Sequence, residues 1–103
     1  MSNRDGTAGE SLSAVFDRIG QLLAFPVVFP MKVIGQRVDD FAQQVAAVVV
    51  QHVPQFDATS IDLRVSSKGT YLSVTVAPVV QSREQLEAVY RALSEHPLVR
   101  IVM

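Results

Sequence analysis

The chain has 103 residues, 49% of them apolar and 18% charged, with a net charge of −1. That is enough oil for one folded domain and too much for a disordered chain, and no global field draws it to nucleic acid or an anionic membrane. With no cysteine, a disulfide scaffold, a thiolate zinc site and a cysteine nucleophile are excluded.

Residues 1–9 carry Ser, Asn, Asp, Thr and Gly and are expected as a flexible tail. The opening MSNRDGTAGES lacks the basic start and apolar stretch of an export signal, and the longest apolar runs are too short to cross a bilayer. A cytoplasmic protein without membrane contact is the expectation. Over residues 10–24, Leu12, Val15, Phe16, Ile19, Leu22 and Leu23 recur at helical spacing, which predicts an amphipathic helix. Gly20 inside it costs about 1 kcal/mol relative to Ala, so the helix needs a docking partner, either its own domain or a second copy.

Residues 25–103 are expected as one domain. "FPVVFPMKVIG" (25–35) reads as a strand with regular pairing from Met31, because Pro30 cannot donate to a ladder. "VDDFAQQVAAVVVQHVP" reads as a helix with Phe41, Val45, Val48, Val49 and His52 on one face. Asp39 or Asp40 caps it, Asp40 with Gln43 resembles a capping box, and Pro54 ends it. "TSIDLRVSS" alternates and forms a half-buried strand. Ser67-Lys68-Gly69 turns the chain and "TYLSVTV" returns as the hairpin partner, with Pro78 where its ladder stops. Ser82 and Gln85 form a capping box for a helix with the stripe Leu86, Val89, Tyr90 and Leu93, stopped by Pro97. "LVRIVM" closes as a short strand.

The order after the first helix is β-α-β-β-α-β, the ferredoxin-like pattern. The expected fold class is α+β: a four-stranded antiparallel sheet, order 4-1-3-2, with two helices on one face and the N-terminal helix added. By period two, Met31, Val33, Ile61, Leu63, Val65, Leu72, Val74, Val76, Val99 and Ile101 should face the helices. Lys32, Ile34, Asp62, Arg64, Tyr71, Ser73, Thr75, Arg100 and Val102 should line the open side.

"FPVVFPMKVIG", "SSKGTYLSVTV" and "SREQLEAVYRALSEHPLVRIVM" together resemble the YbeD-like family, small bacterial proteins of undefined function. The resemblance runs from about Leu23 to Met103. It is most specific at Ser66, Ser67, Lys68, Gly69, Tyr71 and Ser73, with support from Gln85, Leu86, Tyr90, Leu93 and Val99-Arg100. It implies a fold similar to the ACT-type regulatory domains of amino-acid metabolism enzymes, and a role in allosteric regulation or protein interaction. It supplies no catalytic residues. ACT domains that bind amino acids commonly use a glycine-bearing loop after the first strand, at a dimer interface. The matching segment here is 34–39, which makes Gly35, Gln36 and Asp39 a candidate ligand loop.

Three candidate sites follow. The first is the open sheet face, with Lys32, Arg64, Tyr71, Ser73, Thr75 and Arg100, which mixes apolar and charged residues as interfaces do. The second is the ligand loop. The third is the turn Ser66, Ser67, Lys68 and Gly69, whose N–H groups could hold an anion, although its serines could equally serve the turn itself. RNA-recognition modules share the β-α-β-β-α-β order, but their stacking platforms carry more rings than the single Tyr71 of this face. His52 and His96 end helices, where a cation meets carbonyl ends. No phosphate-loop, dinucleotide, metalloprotease or nucleophile-elbow motif occurs.

The expected function is therefore a non-catalytic regulatory or adaptor domain with an unidentified protein partner and a homodimeric form. Small-molecule sensing at the Gly35 loop is the first alternative, and RNA binding on the open face the second. No catalytic residue, metal site or cofactor is expected, and nucleic acid is not the favoured partner.

Overall fold

The computed structural model describes residues 11–103; the expected tail and Glu10 lie outside them. The elements in chain order are α1 (Leu12–Leu22), β1 (Val27–Val28), β2 (Met31–Gln36), α2 (Phe41–His52), β3 (Asp62–Val65), β4 (Tyr71–Val76), β5 (Val79–Val80), α3 (Arg83–Glu95) and β6 (Val99–Val102).

Four strands form an antiparallel sheet in the order β3-β4-β2-β6. Counted one to four along the chain, they lie as 4-1-3-2. The departure from expectation is a second, two-stranded ladder of β1 and β5, pairing Val27 with Val80 and Val28 with Val79. It continues the β2–β4 register, in which Met31 faces Val76. The prolines explain the interruption. Phe29 N–H donates to the Pro78 carbonyl at 2.9 Å, but Pro78 has no N–H to return the bond.

The main core lies between the sheet and two helices. Phe41, Val45 and Val49 of α2 and Val89 and Leu93 of α3 join Met31, Val33, Leu72, Val74, Val76 and Val99 in one buried cluster. Each such side chain contributes about 1.5–3 kcal/mol by leaving water. Both helices thus cover the same face, and no helix among the described residues covers the other.

Two parts of the expected helix-facing set need correction. Leu63 and Val65 stand opposite Val74 and Leu72, yet each is 49% exposed. β3 is the last strand, and its outer side has no neighbour among the described residues. In β6 the alternation slips. Gly35 pairs with Val99 but Ile34 pairs with Ile101, leaving Arg100 as the extra residue of a β-bulge. Ile101 therefore sits opposite Ile34 and is 53% exposed. Val102, opposite Val33, packs on the main core instead.

Helix α1 docks on its own chain. Phe16, Val80 and Leu86 form a second buried cluster, with the Phe16 and Tyr90 rings 5.5 Å apart and tilted at 59°. The missing side chain of Gly20 admits α3, since a Cβ there would stand 3.1 Å from Arg83 Cβ. Arg83 ties the pair together. Its Nη2 donates to the Ser13 carbonyl at 2.8 Å and to Ser13 Oγ at 2.6 Å. Its Nη1 lies 2.9 Å from Glu87 Oε1. Its Nε stands 2.7 Å from Asp17 Oδ1, as an ion pair without hydrogen-bond alignment. Glu87 is buried, and Arg91 occupies its other oxygen.

The helix caps differ in kind. Ser11 Oγ accepts from Ala14 N–H, and Ser82 Oγ from Gln85 N–H. Gln85 Oε1 turns back to Gln81 N–H, while its Nε2 donates to the His52 carbonyl at the end of α2. At α2 the expected Asp40–Gln43 box does not form. Asp40 makes no side-chain cap bond, and its carboxylate accepts from Gln44 Nε2 one turn on.

Candidate functional site

The open face is built in cross-strand rows. The central row runs Arg64, Ser73, Ile34, Ile101 across β3, β4, β2 and β6. Beside it runs Asp62, Thr75, Lys32, and Lys32 exchanges both backbone hydrogen bonds with Met103 at 2.9 and 2.8 Å. On the other side Tyr71 pairs with Gln36. Lys32, Arg64, Tyr71, Ser73 and Thr75 therefore share one surface, as the alternation requires. Tyr71 is 41% exposed, and with Ile34 and Ile101 it gives that surface an apolar centre. Arg64 Nε donates to Asp62 Oδ2 at 3.1 Å, both side chains well exposed.

Arg100 has no cross-strand partner, because the bulge gives Ile101 the place opposite Ile34. Sequence reading missed Ile101 on this face. The bulge that put it there falls where β6 passes between Ile34 and Gly35, and a period-two count carries no trace of it.

The turn Ser66, Ser67, Lys68, Gly69 is largely satisfied by itself. Ser66 Oγ accepts the N–H groups of Thr70 and Tyr71, each at 3.1 Å. The Ser66 carbonyl accepts Gly69 N–H at 2.8 Å. Gly69 has φ +74°, which an L side chain rarely adopts. Its carbonyl accepts from Arg37 Nη1 at 3.0 Å, so the segment after β2 reaches the hairpin tip. Ser67 and Lys68 are exposed. With the Gly69, Thr70 and Tyr71 amides all engaged, little is left for an anion.

The candidate ligand loop is displaced. Gly35 and Gln36 belong to β2 rather than to a loop. Gly35 is buried, and a Cβ on it would lie 2.3 Å from the Leu98 carbonyl and 2.4 Å from Phe41 Cε1. The space beside this glycine is filled by the Phe41 ring. Asp39 alone lies outside an element and exposed. The structure does not bring Gly35, Gln36 and Asp39 together as a loop around a cavity.

The histidines also act locally. His52 is the last residue of α2 and its carbonyl takes the Gln85 bond. His96 caps α3, but its Nδ1 accepts Leu98 N–H at 3.1 Å instead of meeting carbonyls. Among the described residues no three or more His, Asp or Glu side chains gather closely enough to hold a metal ion. No helix among them is long and apolar enough to cross a membrane.

Comparison with known proteins fits this picture. A family model described as "Protein of unknown function (DUF493)" matches residues 20–103. A UPF0250 protein of Janthinobacterium is 46% identical over 87 residues, covering 84% of this chain and 96% of its own. A UPF0250 protein of Ralstonia nicotianae is 45% identical over 82 residues, covering 80% and 84%. One from Bordetella pertussis is 45% identical over 82 residues, covering 80% and 90%. The matched span contains the sheet, α2 and α3, and leaves most of α1 outside.

Proposed function

The chain belongs to the DUF493 family, the YbeD-like group of small bacterial proteins, and we propose that it is a regulatory or adaptor protein that engages a protein partner on the uncovered face of its sheet. The observation that carries this reading is the central patch of Ile34, Ile101 and Tyr71. Beside it, among the described strand residues, stand Lys32 and Arg64 with one acid, Asp62. An apolar centre with an aromatic ring and a polar rim is the make-up of a recognition surface. The basic excess favours a partner that presents a carboxylate beside an apolar side chain. The strand order and the shared helix face support reading the β2-α2-β3-β4-α3-β6 unit as ferredoxin-like, of the ACT kind.

The alternatives draw less from the geometry. An amino-acid site at Gly35 has no space beside it. An RNA platform wants several rings, and the strand residues of the open face include one, Tyr71.

The test is a comparison of proteins captured by the wild type, by a Tyr71→Ala, Ile101→Glu variant, and by a Glu84→Ala control on exposed α3 surface. A captured protein is then purified and titrated against the labelled chain by NMR. Amide shifts at Lys32, Ile34, Tyr71 and Ser73, with loss of capture in the first variant only, are expected. Shifts confined to α2 and α3, or capture that survives the double change, would overturn the reading.

A further inference from the structure

We infer that residues 77–79, where β4 runs on into β5, line a slot for an extended peptide that adds there as a short antiparallel strand and carries a basic side chain. The inference is independent of what binds the open face.

The backbone register defines the slot. Val27 pairs with Val80, Val28 with Val79 and Met31 with Val76, in one continuous antiparallel register. Hydrogen-bonded pairs alternate along such a ladder. Phe29 N–H donates to the Pro78 carbonyl at 2.9 Å, so Val76, Pro78 and Val80 turn their backbone groups toward β1 and β2. Ala77 and Val79 therefore turn theirs the other way. Along β4 that side belongs to β3, whose ladder begins with Asp62 opposite Thr75. Along β5 no strand stands there among the described residues. No described residue hydrogen-bonds the N–H or C=O groups of Ala77 and Val79. Gln81 is next in the alternation, and Gln85 Oε1 already takes its N–H at 2.6 Å. What stays open is two donors and two acceptors on residues about 7 Å apart, the repeat of an extended chain.

The opposing wall is already built. Residues 53–60, between α2 and β3, form it. Val53 is buried and Phe56 packs on the main core. Phe56 N–H donates to the Val53 carbonyl at 2.9 Å. Ser60 N–H and Oγ donate to the Asp57 carbonyl at 3.0 and 2.7 Å. Between this wall and the edge lie two hollows of about 350 and 420 Å³ that share Val53, Gln55 and Val79 in their linings, so they form one groove. Pro78 and Val80 are fully buried, which holds the edge in place without an occupant.

The lining selects the occupant. Paired N–H and C=O groups at strand spacing are matched by another backbone. Val53, Phe56 and Val79 offer apolar contact to one of its side chains. Asp57 is the one ionisable side chain in the lining of either hollow. Both bonds from Thr59 fall on its Oδ1, which leaves Oδ2 for a cation. In strand addition the main chain supplies affinity and the flanking side chains supply selectivity. The fitting partner is thus an extended segment with an apolar residue against Phe56 and a Lys or Arg beside Asp57.

The test uses a phage-displayed library of random octapeptides selected on the full chain. Enriched sequences should carry Lys or Arg, and one is synthesised and titrated by amide NMR. Shifts are expected at Ala77, Val79 and Phe56. N-methylation of the peptide amide that faces Val79 should weaken binding about tenfold, while N-methylation of the adjacent amide, which points away, should leave it within about twofold. Val79→Pro removes an N–H that β1 does not use, and should also weaken binding about tenfold, with NMR verifying the fold. Asp57→Asn should abolish the preference for basic sequences. The Tyr71→Ala, Ile101→Glu variant should bind the peptide like the wild type, which separates this slot from a partner on the open face. No enrichment, shifts confined to the open face, or equal effects of the two N-methylations would each overturn the inference. So would Ala77 and Val79 shifts that follow protein concentration without peptide, since a second copy would then fill the slot.

Discussion

The two hydrophobic clusters of this molecule are built differently. The main one lies between sheet and helices, and Val33, Phe41, Val45, Val49, Val74, Val89 and Leu93 in it have no exposure at all. The second, under α1, has three buried residues, Phe16, Val80 and Leu86, flanked by half-buried ones. A partly open apolar cavity of about 230 Å³ is lined by Leu12, Val15 and Ile19 of α1 together with Phe29 and Met31. Where α1 meets α3, polar bonds from Arg83 do much of the joining. A region covered by two helices and a sheet reaches interior packing density. A single helix laid on the flank leaves gaps, and fixes itself with directional contacts instead.

Truncating the central ring of each cluster should give the largest difference. Phe41→Ala opens a cavity in the closed region and should cost about 4 kcal/mol in urea unfolding. Phe16→Ala should cost about 2 kcal/mol, because the flank is already loosely filled. Hydrogen exchange should then rise in α1 while the amides of β2 and β4 stay protected. Equal losses at both positions would mean that the clusters form one cooperative core.

The glycines sharpen the same contrast. An added Cβ at Gly35 meets a backbone carbonyl and a locked ring, so Gly35→Ala should cost about 3 kcal/mol. At Gly20 the neighbours are Arg83 Cβ and Cγ at 3.1 and 3.2 Å, so a shift of a few tenths of an ångström suffices. There the helix-propensity gain of about 1 kcal/mol offsets the contact, and Gly20→Ala should fall within about 0.5 kcal/mol of wild type.

The smallest effect lies outside both clusters. Thr59 Oγ and N–H donate to Asp57 Oδ1 at 2.6 and 2.9 Å. These bonds hold the Asp57 carboxyl below its ordinary value, the side-chain bond first. A lowered folded pKa adds stability above the unfolded pKa and loses it as pH falls through the folded one. Carboxyl-carbon NMR should show Asp57 titrating below the ordinary carboxylate range, and Thr59→Val, which keeps the backbone bond, should raise it part of the way back with almost no change in melting. A midpoint unmoved by that substitution would remove the assigned cause.

Much of the fold was legible because it is written locally. Ser82 lies three residues before the amide it caps, and the Ser66–Gly69 turn is closed by its own atoms. Met31, Val33, Leu72, Val74 and Val76 alternate on strands with neighbours on both sides, so period two was enough. That Lys32, Tyr71, Ser73 and Thr75 share the opposite surface was legible for the same reason, and Arg64 joins them by pairing with Ser73. Ile101, the misplaced Gly35 loop and the Asp40 cap were not, because each depends on a neighbour far along the chain or on a competing side chain nearby.

The sequence by itself determined the order of helices and strands, the hairpin and the alternation of the inner strands, since these follow from spacing and from caps within a few residues. Only the tertiary structure decided that α1 docks on α3, that Phe41 fills the space at Gly35, that β6 shifts its phase at Arg100, and that β3 is left as an exposed edge. Each of those outcomes is set by what another segment brings alongside, and no local period encodes it.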